Sequence, residues 1–367
     1  MDKKLKIAIL EPRLEGIGGS RKAIGEIANY LESKGHHIEF FTQNYDKKTA
    51  YDYFMGKKIN LLKPKSKVFL PFIFLMKKIK EFDLLILNTS PANLASIRNK
   101  PTITICYSPS REIFDLRGYL FKNSNFKNKI KIILKNIILK PLELISSKKT
   151  TKMFSISENV RNRVRKYYRM ETEIFYIGVN PKEFYTKDYD NFILTVSRFV
   201  NAKRVDMLIK SMKYVKNKKI KLYIVGEGED EEKLKELCKE APNVKLLGKV
   251  NYKELLDLYS RCLAVAYIPI DEDWGLIPLE AGESQKTTIG VYDGGLKETI
   301  IDGKTGFLIK NITPEKIAEK IDFLANNKKI AKKMGKNAKA HVKQFEWENG
   351  MKILEKAIEK ITESKKN

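Results

Sequence analysis

Long apolar runs, cysteine, histidine and the signatures of hydrolytic enzymes are all scarce in these 367 residues. The most apolar stretch, Val68 to Met76, is nine residues long and contains Pro71. A spanning helix needs about 20 residues, so no membrane-crossing segment is expected. The three cysteines, Cys106, Cys238 and Cys262, share no Cys-x-x-Cys or Cys/His spacing. That argues against a disulfide framework or a zinc site and for reduced thiols in a cytoplasmic protein. Met1 to Lys6 runs straight into the short stretch Ile7 to Leu10, without the pattern of a secretory leader. His36, His37 and His341 are the only histidines, and none lies where a ligand-binding loop is expected. Gly-x-Ser-x-Gly, Walker A and His-Glu-x-x-His do not occur, which leaves a hydrolase or an NTPase without a foothold.

Positive charge is what the chain has in excess, at +26 overall. Residues 1 to 185 hold 36 Lys and Arg against 17 Asp and Glu, and the rest 35 against 28, so the halves carry +19 and +7. The densest stretch, Arg117 to Lys152, has ten basic residues and one acidic one, Glu143, interleaved with apolar runs such as Ile130 to Lys140. That pattern predicts a basic amphipathic helix, and its expected partner is an anionic membrane surface at the inner face of the cell membrane. The bland alternative is a lysine-rich solvated face over an ordinary core helix. Nucleic acid is not an expected partner, because no helix-turn-helix, finger or RNP-like signature accompanies the charge.

Short β-branched runs alternate with longer amphipathic stretches, the pattern of parallel α/β units. The first half has six strand candidates: Leu5 to Leu10, Ile38 to Thr42, Leu84 to Leu87, Thr102 to Cys106, Met153 to Ile156 and Ile174 to Ile177. The second has Phe192 to Ser197, Lys221 to Val225, Val244 to Leu247, Ala264 to Ile268, Thr288 to Tyr292 and Gly306 to Ile309. Six against six predicts two similar sheets. A polar, aperiodic stretch, Lys182 to Asn191, places the boundary near 185. After Ile309 the pattern is helical, from Pro314 to about Asn326, then over 328 to 343 and 347 to 363.

Ligands of open α/β sheets bind beyond the carboxyl ends of the strands, so the residues after each strand carry the chemistry. The loop after the first strand contains Gly16, Gly18 and Gly19 ahead of a helix from Arg21 to Ser33, a place where backbone can approach an anion. Arg198 and Lys203 flank one strand-to-helix turn and can converge on a diphosphate. Gly226-Glu227-Gly228 adds a third permissive turn. The most informative segment is Pro269 to Gly275 followed by a helix from Leu276 to Glu283. Glu272 precedes that helix and Glu280 lies in its second turn. Two acceptor-only carboxylates suit sugar and ribose hydroxyls, and the free amides at the helix start suit a phosphate between them.

In order, a Gly-Gly loop, Arg-x4-Lys, Gly-x-Gly, Glu-x7-Glu, Gly294-Gly295-x-x-Glu298 and Asp302-Gly303-x-x-Gly306 resemble the family-four retaining glycosyltransferases over nearly the whole chain. The resemblance implies a GT-B fold, two Rossmann-like α/β domains with parallel sheets. It implies an acceptor-binding domain over 1–185, a nucleotide-sugar domain over 186–345, and a C-terminal helix over 346–367 crossing back. By position, Arg198 and Lys203 would bind the donor diphosphate and Glu272 the transferred sugar, these three being the catalytic set. Gly275 and Leu276 would offer amides, Glu280 would hold the ribose, and Gly18 and Gly19 would face the phosphates. Tyr107 to Arg111 resembles the His-Thr-Pro-x-Arg strand end of mannosyltransferase-like members: Pro109 and Arg111 match, and Tyr107 replaces the histidine of the sugar pocket. The expected activity is transfer of a hexose, mannose from GDP-mannose or another sugar from a UDP-sugar, to a lipid-linked or cell-surface-glycan acceptor. The alternatives are a sugar-nucleotide epimerase of the same architecture and a binding protein that has lost transfer. No cofactor or metal is expected, although Asp271-Glu272-Asp273 spells an Asp-x-Asp.

Overall fold

A computed structural model of the chain describes residues 4–15, 18–46, 54–66, 69–115, 117–122 and 125–363. Gly16 of the glycine loop and Val68 of the apolar stretch lie outside the described residues. The chain divides into two compact units, Met1–Tyr176 with Glu348–Asn367, and Ile177–Trp347. The polar stretch near 185 thus lies inside the second unit.

The first unit holds a parallel sheet of strands β1 (Lys6–Leu10), β2 (His37–Thr42), β3 (Lys58–Leu61), β4 (Leu84–Asn88), β5 (Thr102–Cys106), β6 (Lys152–Ser155) and β7 (Glu173–Ile174). Their spatial order is β3-β2-β1-β4-β5-β6-β7. The second unit holds β8 (Phe192–Val196), β9 (Lys221–Val225), β10 (Val244–Gly248), β11 (Ala264–Tyr267), β12 (Thr287–Val291) and β13 (Gly306–Ile309), ordered β10-β9-β8-β11-β12-β13. Among the described residues the expected six against six is therefore corrected to seven against six. The unexpected strand, β3, is an edge strand with none of its four residues buried, so its sequence carries no apolar run. The central strands β4, β5, β11 and β12 are buried at every residue, which is why they read as continuous apolar and β-branched runs. In each sheet the strand order reverses once, between β1 and β4 and between β8 and β11. Such a reversal opens a crevice at the carboxyl ends of the two strands.

The glycine loop feeds a helix that begins at Gly19 rather than Arg21 and ends at Ser33. The basic stretch is two helices, Arg117–Lys122 and Phe126–Lys149, not one. In the longer one the polar residues Asn136, Glu143, Ser146 and Ser147 are buried. Glu143 accepts hydrogen bonds from Asn93 Nδ2 at 2.8 Å and the Tyr168 hydroxyl at 2.7 Å, and also from the Ser90 hydroxyl. Phe126, Ile130, Leu134, Ile137 and Ile138 are exposed instead. The helix thus buries polar residues and exposes apolar ones among its exposed lysines, the reverse of a solvated core helix.

The Gly226-Glu227-Gly228 turn has a structural explanation. A Cβ on Gly226 would lie 1.8 Å from the Ser197 carbonyl oxygen, and one on Gly228 would lie 2.4 Å from that of Phe199. The glycines admit the backbone that follows β8, with the Phe199 amide donating to Glu227 at 2.9 Å.

Candidate functional site

In the second unit, the reversal between β8 and β11 gathers Arg198, Lys203, Glu272, Gly275, Leu276 and Glu280 onto the two loops that follow those strands and the helix after the second. The loops are tied together where the Ile270 amide donates to the Ala202 carbonyl at 2.8 Å. Lys203 ends a short 3-10 turn, Asn201–Lys203, and reaches across to the second loop. Its Nζ lies 2.6 Å from Glu272 Oε2 and donates to the Tyr267 hydroxyl at 2.8 Å. Tyr267 closes β11 and is buried, and burial, reinforced by the Glu272 carboxylate, holds its phenol pKa well above the usual value. It stays a neutral donor. Arg198, by contrast, is exposed, and among the described residues no side chain pairs with its guanidinium.

The Glu272 loop is held from behind. The Gly295 amide donates to the Glu272 carbonyl at 2.7 Å, and a Cβ on Gly294 would lie 2.3 Å from that same oxygen. Asp293 accepts from the Asp271 amide at 2.8 Å and from the Gly294 amide at 2.9 Å. Asp271 itself has a left-handed φ of 45°, a conformation that aspartate tolerates. The Gly-Gly turn is thus a support for the carboxylate loop. Trp274 is buried, donates its indole N–H to the Ile177 carbonyl at 2.8 Å and meets the Phe345 ring edge-on at 4.9 Å.

Gly275 adopts φ 102°, ψ 74°, left-handed territory open to glycine, and turns the chain into the helix Leu276–Glu283. The first-turn amides of Leu276 and Ile277 have no acceptor within the helix, and Pro278 at the third position offers none. Glu280, half-exposed, accepts from the Tyr259 hydroxyl at 2.7 Å. Tyr259 is fully buried, so one carboxylate oxygen is fixed from the protein side. Burial, and then Glu280, keep that phenol protonated far above its ordinary range.

The remaining candidates lie in the first unit. Gly18 caps the helix Gly19–Ser33 in an extended conformation, and the Arg21 guanidinium lies over it, 2.6 Å from where a Cβ would be. Tyr107 follows β5 and donates to the Ser20 carbonyl at 3.4 Å. Arg111 Nε donates to Asp115 Oδ2 at 3.0 Å, four residues on. Sequence reasoning missed Tyr267, Tyr259 and Asp293. Tyr267 lay at a strand end and could have been found, whereas Tyr259 sits inside the helix Tyr252–Arg261 with no signal. Lys286 lies in the connection between the helix Leu276–Glu283 and β12. It is fully buried, with Nζ 3.4 Å from the Tyr189 ring centroid and donating to the Asp188 carbonyl at 3.1 Å, and burial pushes its pKa down to about 8.

Two family models match the chain: Glycosyltransferase Family 4 over residues 17–183 and Glycosyl transferases group 1 over residues 179–341. The chain is 28% identical over 58% of its length to an uncharacterized glycosyltransferase of Methanocaldococcus jannaschii, of which it spans 60%. It is 23% identical to an alpha-1,3/1,6-mannosyltransferase of Dictyostelium discoideum, over 93% of this chain and 94% of that one. Among solved structures, sucrose-phosphate synthase from Thermosynechococcus elongatus superposes with a TM-score of 0.79 at 17% identity, covering 98% of this chain and 100% of that one. Anabaena HepE in complex with UDP-glucose does so with a TM-score of 0.77 at 15% identity, over 97% and 100%.

Proposed function

Since the chain is a glycosyltransferase of the GT-B type, we propose that it moves a hexose, with retention of anomeric configuration, from a nucleotide sugar to a lipid-linked or cell-surface-glycan acceptor. The observation that carries this reading is the Lys203–Glu272 pair beside the open start of the helix Leu276–Glu283. A cation, two carboxylates and free amides within one loop-and-helix unit match a sugar diphosphate and its ribose. Arg198 and Lys203 act on the charge that develops on the departing diphosphate, and Glu272 positions the sugar. In this reading the leaving phosphate itself helps deprotonate the acceptor, so the protein's contribution is positioning and charge stabilisation.

Mannose from GDP-mannose is the favoured donor, a UDP-sugar the second. Support comes from the Pro109-x-Arg111 match and from the Dictyostelium relative, named as a mannosyltransferase. The site of action in this reading is the inner face of the cell membrane. No described helix is long and apolar enough to cross a bilayer. Attachment is instead peripheral, through the outward apolar residues of the helix Phe126–Lys149 and its lysines, a surface that suits anionic lipid. Thermal-shift measurements against a panel of nucleotide sugars test the donor: the true donor raises the melting temperature in proportion to occupancy, and no shift from any of them contradicts the reading.

A further inference from the structure

Residues 53 to 80 hold eight lysines and no Asp or Glu. Within that segment the helix Leu70–Met76 has no polar residue at all, so apolar side chains occupy both of its faces. Leu70 and Phe74 turn inward and join the core of the first unit beside Leu85 and Leu87. Phe69, Phe72, Ile73 and Met76, spaced i, i+3, i+4 and i+7, form a second stripe. Of these, Phe69 is 57%, Phe72 36% and Met76 58% exposed, so this stripe is left outside the core.

The stripe lines a groove of about 620 Å³. Leu61, Leu62 and Pro64, where the chain leaves the edge strand β3, line it as well, together with Lys63 and Lys77. The β3 side is fixed to the strand that precedes it. The Leu62 amide donates to the Thr42 carbonyl at 2.7 Å, and the buried Gln43 donates from Nε2 to the Pro64 carbonyl at 2.6 Å and the Ser66 carbonyl at 3.0 Å. The helix side is fixed at its end by the buried Asn99, which donates to the Lys77 carbonyl and accepts from the Ile79 amide, both at 2.8 Å. Thr42 ends β2 and Leu61 ends β3, so the groove opens at the carboxyl ends of the parallel strands, the end at which Tyr107 and Arg111 follow β5. Ligands of such sheets bind at that end.

We propose that this groove holds the hydrocarbon chain of the lipid-linked acceptor, with the phosphate of that lipid on Lys63 and Lys77. The inference rests on the transferase reading above. Its volume lies within the 300–1,000 Å³ or so of small-molecule sites, and a concave apolar channel fits one chain better than a flat bilayer. The charge fits the same ligand. Lys63, Lys65, Lys77, Lys78 and Lys80 are exposed, and among the described residues none of them has an ion-pair partner. An apolar channel flanked by uncompensated cations matches an amphiphile with an anionic head, to which lysine presents a point charge. The groove uses no residue of the helix Phe126–Lys149, so holding the acceptor chain and attaching to the membrane are separable.

The test uses the full chain and needs no turnover at first. Dodecyl phosphate, octyl phosphate, dodecyl maltoside and inorganic phosphate are titrated calorimetrically, each below its micelle concentration, into wild type and the double variant Phe72→Ser, Met76→Ser. Both side chains are exposed, and a melting curve establishes that the variant folds. A fully buried methylene strengthens binding roughly fourfold. In a groove open on one side, octyl phosphate is therefore expected to bind about tenfold or more weakly than dodecyl phosphate. Dodecyl maltoside, which lacks the charge, is expected to be weaker too, inorganic phosphate not to bind, and the double variant to lose about tenfold for dodecyl phosphate. A diazirine-bearing alkyl phosphate is expected to label residues 61 to 77. Affinity indifferent to chain length, equal binding by the variant, or labelling of the helix Phe126–Lys149 instead overturns the proposal. A variant that loses anionic vesicles but keeps dodecyl phosphate makes the stripe a membrane contact and overturns it as well. With acceptors of graded chain length, the acceptor KM of wild type is expected to fall as the chain grows, and that of the variant to fall less. A protein that binds dodecyl phosphate in the groove but uses no nucleotide sugar refutes the transferase reading and leaves the groove standing. Sugar transfer with an acceptor KM indifferent to chain length upholds that reading and overturns the groove.

Discussion

The Lys203 ammonium and the Glu272 carboxylate form a 2.6 Å ion pair, with about four-fifths of each side chain covered. A cation assigned to the diphosphate and a carboxylate assigned to the sugar thus hold each other in the free protein. Donor binding has to share or exchange this contact, and breaking it by deletion leaves a partly covered charge behind. Lys203→Ala is expected to lower kcat by roughly 10²–10³, the usual cost of removing one preorganised transition-state donor, while donor affinity falls much less. Steady-state kinetics on saturating acceptor measures both. An effect confined to KM assigns Lys203 to ground-state binding instead.

Tyr259 supplies the hydrogen bond that fixes one oxygen of Glu280. Tyr259→Phe removes it without changing the ring packing, at a cost of about 1 kcal/mol in stability. If Glu280 holds the ribose, the same change weakens binding of the free nucleoside diphosphate by a similar factor. Calorimetric titration with GDP and UDP reads this, and unaltered binding of both removes Glu280 from the ribose site.

Glu11 makes stability depend on pH. Its folded-state pKa of about 7 lies above the ordinary 4.5, so the contribution of its protonated form is complete below 4.5 and is lost as pH rises through 7. The shift corresponds to on the order of 3 kcal/mol. Glu11→Gln, which stays neutral, is expected to be as stable as wild type in mild acid and more stable at pH 8. Denaturant melts of both proteins at the two pH values measure the difference. Parallel pH profiles contradict the assignment.

Gly226 has a φ of 147° and faces the Ser197 carbonyl. Gly226→Ala forces a methyl group into backbone, and a loss of about 3 kcal/mol or more is expected. Differential scanning calorimetry is the check. A variant with an unchanged transition indicates that the turn is not held as described.

Vesicle co-sedimentation addresses the helix Phe126–Lys149. Replacing exposed Leu134 and Ile137 with Ser is expected to release the protein from anionic vesicles while leaving its melting temperature within a degree or two, because neither side chain packs inward. Neutral vesicles, or high salt, are expected to bind wild type weakly. Equal binding by wild type and variant contradicts attachment through this face.

Both sheets were legible in the sequence because their central strands are buried on two faces and therefore carry uninterrupted apolar runs, as in Leu84 to Leu87 and Ala264–Tyr267. Strand Lys58–Leu61 was not, since an edge position lets lysine and asparagine stand where a core strand has valine or isoleucine. The Glu272 loop announced itself through residue types confined to few jobs: one carboxylate before a helix start, a second in the second turn of that helix, and a glycine between them. What remained hidden were long-range partners. Nothing local in Tyr259 or Asp293 tells that one clamps Glu280 and the other the Glu272 loop, because those bonds join partners 21 and 22 positions apart in the chain. The inside-out character of Phe126–Lys149 was hidden for a related reason. Its alternating lysines and isoleucines showed an amphipathic helix, but which face points inward depended on Asn93 and Tyr168 waiting for Glu143.

The most direct test is the stereochemistry of a turnover. With GDP-mannose, or failing that a UDP-sugar, and a lipid-linked acceptor, NMR of the product is expected to show the anomeric configuration of the donor preserved, with release of the nucleoside diphosphate abolished in Glu272→Ala. An inverted product, or transfer undiminished in Glu272→Ala, contradicts a retaining donor site built on the Lys203–Glu272 pair.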